Sequence, residues 1–208
     1  MIKSVAESKK ITDILHFTSN SGLLGILASG AVLPNSELKE EDTLAFVFKQ
    51  NSEKRKERNL KWLKYVNLSV TKLNKEFFSY SENRHRSVDQ FWCILSFSPS
   101  LLNDDGVFFT TTNNIYPSCL RGEGVSAFGR MFNNSIEGKF QKTISRTIEH
   151  KESWTTCEQA EILYPGKLSL DYLQSIYVKD IQSKHIVKSQ LAALNLKHDV
   201  VVCPAKFK

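Results

Sequence analysis

The stretch FWCILSF, Phe91–Phe97, most limits what this chain can become. It is apolar almost throughout and lacks the alternation of a strand with one wet face. Both of its faces must therefore be covered, which places it at the centre of a sheet. Pro99 ends it. Other strand signals surround it: ILHFT (Ile14–Thr18), YVNLSVT (Tyr65–Thr71), GVFFTTTNN (Gly106–Asn114), which runs into a polar turn, AEILYP (Ala160–Pro165), QSIYVKD (Gln174–Asp180) and DVVVCP (Asp199–Pro204). One helix is expected directly after Thr18 and another over Ser183–Leu194. Arg121–Glu152 reads as helix and loop, with Phe128, Met131 and Phe132 as its apolar side. Strands outnumber helices and do not alternate regularly with them, which predicts an α+β fold. At 208 residues the chain is long enough to bury a core of its own, so a single domain over 1–208 is expected.

Alternation along the first strand puts Ile14, His16 and Thr18 on one face and Leu15 and Phe17 on the other. Ser19 or Asn20 can cap the next helix, whose apolar face is Leu23, Leu24, Leu27 and Ala28, and Gly30 can stop it. Strand end and helix start form a cradle with His16 and Thr18 at its lip. Taken alone, a histidine on a strand is more often a satisfied core residue. A second polar anomaly lies in CEQAEILYP, where a carboxylate at a strand mouth has to be solvated or engaged. Position favours Glu161 over Glu158, because the strand holds it.

The 28 Lys and Arg against 22 Asp and Glu give a net charge of +6, which favours a polyanionic partner. Between Lys49 and Lys64 seven basic residues face two acidic ones, a pattern that suits either a solvated helix face or an arm that tracks phosphates. Lys54, Arg55, Lys56, Arg58, Arg121, Arg130, Lys142 and Arg146 could line a groove for a phosphate backbone, with Trp62 or Trp154 to stack an unpaired base. Trp62 serves equally well as the buried side of its helix. The cysteines Cys93, Cys119, Cys157 and Cys203 have no paired spacing, so neither a zinc site nor a disulfide framework is expected and no metal is called for. No G-x-G-x-x-G or Walker-type loop occurs, which argues against a Rossmann site and a P-loop. Met1–Lys10 is polar and the apolar runs are short, so the expectation is a cytoplasmic protein without a signal peptide or membrane span.

In order and spacing, His-Phe-Thr with GLLGILASG after it, the basic helix leading into YVNLSV, then FTTTNN and EQAEILYP, resemble the DarT-type ADP-ribosyltransferases. These are toxins of bacterial toxin–antitoxin pairs that modify bases of single-stranded DNA with ADP-ribose from NAD. The resemblance runs from about Ile14 to Val178. It implies an ADP-ribosyltransferase-like fold, a central split mixed or antiparallel sheet flanked by helices. It also implies NAD as co-substrate, single-stranded DNA as acceptor, and a macrodomain antitoxin that removes the ADP-ribose. By the same resemblance His16 and Thr18, with Asn20 beside them, hold NAD, and Glu161, closing Gln159-Ala160-Glu161, is catalytic. An arginine before YVNLSV is catalytic too, either Arg55 or Arg58, and Phe78 or Tyr80 holds the nicotinamide end. The chain departs from the family where Pro and Met often precede that aromatic; it has Lys75 and Glu76.

These roles suit the chemistry. Breaking the ribose–nicotinamide bond develops positive charge on the sugar, which a carboxylate such as Glu161 stabilises. An arginine grips a pyrophosphate in a bidentate way that lysine does not reproduce. His16 would donate a ring N–H to a ribose oxygen. VNLSVT leans towards guanine over thymine as the modified base. RNA as acceptor and a non-catalytic basic nucleic-acid-binding module are the alternatives, and a monomer is the expected state.

Overall fold

In the computed structural model, residues 1–38, 60–84 and 89–208 are described. In chain order the elements are α1 (Ile2–Ser8), β1 (Ile14–Ser19), α2 (Asn20–Ser29), β2 (Ala31–Val32), β3 (Tyr65–Val70), α3 (Lys75–Arg84), β4 (Trp92–Phe97) and β5 (Phe108–Thr110). Then follow β6 (Arg121–Gly122), α4 (Gly124–Arg130), β7 (Ser135–Glu137), β8 (Thr143–Ser145), β9 (Ile162–Pro165), β10 (Leu168–Ser169), β11 (Leu173–Val178), α5 (Ile181–Ala193) and β12 (Val200–Val202). Eight strands form one sheet in the order β12-β11-β4-β1-β3-β9-β5-β6. Only the β11/β12 pair in it is parallel, so the sheet is mixed and the fold is α+β.

β4 is central and all six of its residues are buried, for the reason its sequence suggests. Cys93, Leu95 and Phe97 enter the main core with Leu23, Leu27 and Val187. Trp92 and Ile94 point the other way, into a second cluster with Leu15, Leu73 and Phe78. Burial also pushes the Cys93 thiol up to about 12, so it behaves as an unreactive hydrophobe.

β1 pairs with β4 along its full length, from Ile14↔Phe97 to Ser19↔Trp92. Its other edge meets β3 only at Ile14↔Val70 and Leu15↔Ser69. Beyond Leu15 the two strands part, and the sheet opens into a fork. Asp13, just before β1, ties the base of this fork to the chain's end. Burial alone would raise its carboxyl, but Lys206 Nζ at 2.8 Å and the Ser96 hydroxyl at 2.6 Å outweigh that and hold it below the ordinary range.

α2 starts on Ser19, whose hydroxyl accepts from Gly22 N at 3.1 Å, and stops at Gly30 with φ +70°. Its buried face is Gly22, Leu23, Ile26 and Leu27, whereas Leu24 and Ala28, expected inside, are exposed. Gly22 and Ile26 line a cavity beside β1, and that rotates Leu24 outward.

Two further differences concern local elements. α1 and α3 have too few apolar residues at helical spacing to stand out, and form because Ala6, Phe78 and Ser81 are buried by neighbouring elements. β7 and β8 form a hairpin of three-residue strands in a segment expected to be helix and loop. GVFFTTTNN is strand at Phe108–Thr110 and then runs into its expected polar turn, where Thr111–Asn114 leaves the ladder to build the site described next. Among the described residues no helix is long and apolar enough to cross a membrane.

Candidate active site

The fork between β1 and β3 exposes polar groups that a continued ladder would have consumed. His16 Nδ1 lies 3.1 Å from the Asn67 carbonyl. A carbonyl can only accept, so Nδ1 carries the proton and a neutral His16 leaves Nε2 bare. Burial holds the imidazole below its ordinary pKa, which keeps it neutral near pH 7. His16 lines the cavity. Its single N–H is already engaged, so it can accept from a ribose hydroxyl but not donate to a ribose oxygen, contrary to the sequence expectation.

Thr18 lies on the same strand face but is fully buried, does not line the cavity, and its hydroxyl has no partner among the described residues. Asn20 is also turned away. Its amide donates to the Asp89 carbonyl at 3.0 Å and its own carbonyl accepts from Gln190. Both were expected to touch the cofactor; the first turn of α2 and the pairing with β4 draw them into the frame instead.

Glu161 immediately precedes β9. Its backbone is clamped by Thr110, whose hydroxyl accepts from Glu161 N at 2.9 Å and whose N–H donates to Glu161 O at 2.9 Å. The carboxylate faces the cavity with both oxygens held, Oε1 by Asn67 Nδ2 at 3.0 Å and Oε2 by Asn114 N at 2.8 Å. Burial raises its pKa above the ordinary carboxylate value; the bonds from Asn114 and Asn67 and the charge of Arg121 pull the other way without cancelling it.

Arg121 was expected on a nucleic-acid groove. Its guanidinium instead donates to Asn114 Oδ1 and to the carbonyls of Asn114, Cys119 and Tyr116. It braces the loop that presents Asn114 N to Glu161. Neither Asn114 nor this use of Arg121 had a signal in the sequence.

The cavity has a volume of about 300 Å³ and runs from Phe17, Asn74, Phe77 and Trp92 past His16 and Glu161 to Leu33, Trp62 and Tyr65. Phe78, one of the two expected aromatics, is 2% exposed in the second core and does not reach it, and Tyr80 is exposed outside it. The aromatic that α3 puts on the wall is Phe77, 43% exposed and edge-on to Phe17 with ring centroids 5.6 Å apart. At the far end Trp62 and Tyr65 pack against Phe108.

Of the remaining basic candidates, Lys142 is exposed on the β7–β8 connection. Arg146 holds the next loop together, donating to the carbonyls of Trp154 at 2.7 Å and Lys151 at 2.8 Å. Arg130 Nε is buried without a partner among the described residues. Trp154 is half-buried, with Lys72 Nζ 4.9 Å and Lys151 Nζ 5.4 Å from its ring centre. Lys72 also pairs with Glu158. Lys54, Arg55, Lys56 and Arg58 lie outside the described residues. Among the described residues no group of His, Cys, Asp or Glu could hold a metal ion.

A family model described as "DarT: ssDNA thymidine ADP-ribosyltransferase, DarT" matches residues 15–208. The chain belongs to the DarT family. Solved DarT structures share its fold. The Thermus sp. 2.9 DarT in complex with NAD+ superposes with a TM-score of 0.67 at 16% identity, over 96% of this chain and 98% of that one. The same DarT in complex with ADP-ribosylated ssDNA gives 0.66 at 16% identity, over 96% and 97%. Thermosipho africanus DarTG in complex with ADP-ribose gives 0.57 at 13% identity; 94% of this chain covers 51% of that one. No curated protein matches the chain. The split sheet is thus the DarT ADP-ribosyltransferase sheet, and the DarT family transfers ADP-ribose from NAD to single-stranded DNA.

Proposed function

We propose that this DarT-family chain transfers ADP-ribose from NAD to a base of single-stranded DNA and releases nicotinamide, with Glu161 as the catalytic carboxylate. The observation that carries this is the pairing of a fixed carboxylate and a tautomer-fixed imidazole across one fork, His16 on β1 and Glu161 before β9, both facing one cavity. The C1′–nicotinamide bond breaks with its electron pair going to nicotinamide. Glu161 stabilises the oxocarbenium-like charge left on the ribose. His16 Nε2 accepts a ribose hydroxyl, and Phe77 offers its ring to the nicotinamide end. A base nitrogen then attacks C1′ and loses its proton to solvent, which requires an unpaired or flipped base because a paired edge is hidden.

The choice of base is a finer matter. VNLSVT leans towards guanine, whereas the family description names thymidine. The working state is a monomer in the cytoplasm, and the partner is a macrodomain antitoxin that removes the modification. The test is the mass of DNA and RNA oligonucleotides, each lacking guanine or thymine (uracil in RNA), after incubation with the protein and NAD. A gain of one ADP-ribose unit on DNA that contains one of the two bases supports this function and names the base. Modification of RNA alone would replace the acceptor. No modification of any oligonucleotide, with folded protein, would sink the proposal.

A further inference from the structure

We infer that Asn67 is the positioning residue of this site: its backbone fixes His16 and its side chain fixes Glu161. This rests on the function proposed above. Asn67 sits on β3 just where the ladder to β1 stops, after Leu15↔Ser69, while its other edge stays paired through Asn67↔Leu163 to β9. It therefore belongs at once to both arms of the fork. The carbonyl that a continued ladder would engage takes the Nδ1 proton of His16 instead, at 3.1 Å, and the amide donates to Glu161 Oε1 at 3.0 Å. One residue thus decides which imidazole nitrogen faces the ribose and how the carboxylate is turned towards it.

An amide suits this place. It donates to an ionised carboxylate without bringing a charge of its own. A carboxylate there would set two acids within hydrogen-bond reach, and both ionise together only at a cost. The side chain is exposed to the cavity and closes no core void, so truncating it should leave the fold intact. The two roles are also separable, because Asn67→Ala removes the donor to Glu161 and keeps the carbonyl that orients His16.

The experiment compares wild-type protein with Asn67→Ala and Asn67→Asp, following nicotinamide release against pH, melting temperature, and titration of the Glu161 carboxyl by ¹³C NMR. For Asn67→Ala, kcat should fall roughly 10- to 100-fold, the loss expected for one hydrogen bond to a charged group. KM for NAD and melting temperature should stay near wild type. The acid limb and the Glu161 titration should both move to higher pH, because losing a donor to the ionised form favours the protonated one. Asn67→Asp should move them further in the same direction. A role confined to the fold would lower the melting temperature and leave the titration in place. Wild-type kcat and an unmoved limb in Asn67→Ala would overturn the inference. If the wild-type chain releases no nicotinamide under any condition, the proposed function falls. The carboxyl titration then decides the hold on Glu161 alone, and identical curves in wild type and Asn67→Ala would refute it.

Discussion

The fork of the sheet and the loop-rich face formed by residues 133–157 are built on opposite principles. At the fork, the polar groups of His16, Asn67 and Glu161 each meet a protein partner, and the supporting Thr110, Asn114 and Arg121 are themselves bonded. In the loop-rich segment, Phe140 and Ile148 are exposed, as are Lys139, Lys142 and Lys151, and Trp154 is half-buried with Lys72 and Lys151 close to its ring. A site that must stabilise developing charge needs groups fixed before the reaction. A surface that takes a flexible polyanion needs charge and accessible rings more than fixed geometry. On the proposed reading the contrast is a division of labour, chemistry at the fork and the DNA strand on the loop-rich segment, and it can be challenged at either end.

The largest effect belongs to the fork. Glu161→Ala should reduce nicotinamide release by roughly 100- to 1,000-fold or more, the scale of one preorganised electrostatic group, while the melting temperature holds. Substantial activity in that variant would remove the carboxylate from the mechanism.

Trp154→Ala comes next and acts on the other face. It should raise the oligonucleotide KM by roughly tenfold, as for one lost base–aromatic stack, and leave KM for NAD unchanged. Equal effects on both constants would erase the division between the regions.

The pH dependence separates the two titratable groups of the fork. The proposed mechanism needs Glu161 ionised, and its pKa is raised, so the acid limb should lie above the ordinary carboxylate range, with activity lost as pH falls through it. His16 is shifted downward and should contribute no limb near pH 7. A limb near pH 6.5 that vanishes in His16→Gln would contradict this assignment.

At the base of the fork, Asp13 is held below its ordinary pKa by Lys206 and Ser96, so it contributes stability that is present above the unfolded pKa and is lost as pH falls through the folded one. Lys206→Ala should therefore lower the melting temperature at pH 7 and by less at pH 3. Ser19→Ala, which removes the cap of α2, should cost about 1 kcal/mol, read as a shift of a few degrees in thermal unfolding.

Much of the frame was legible in the sequence. FWCILSF declared its own central position because an unbroken apolar run has only one place in a sheet. His16 and Glu161 were visible because each is a polar residue where strand periodicity or a strand mouth makes one conspicuous. Asn67, Asn114 and Arg121 were not, since their roles consist of hydrogen bonds to residues far away in the chain; Asn67 and Glu161 are 94 positions apart. The choice of Phe78 or Tyr80, where Phe77 lines the cavity, has the same origin. Two adjacent aromatics on a helix point about 100° apart, and only the docking of Phe78 against Leu15, Leu73 and Trp92 determines that Phe77 faces the cavity.

Strand alternation, the serine cap, the glycine stop and the ordered motifs of a DarT enzyme depend on neighbours in the chain, and reading residues in order was enough to find them. The tautomer of His16, the donors to Glu161, the inward turn of Phe77 and the withdrawal of Thr18 and Asn20 from the cavity depend on where β1 leaves β3. That point is a matter of strand pairing between residues more than fifty positions apart, and only the folded chain contains it.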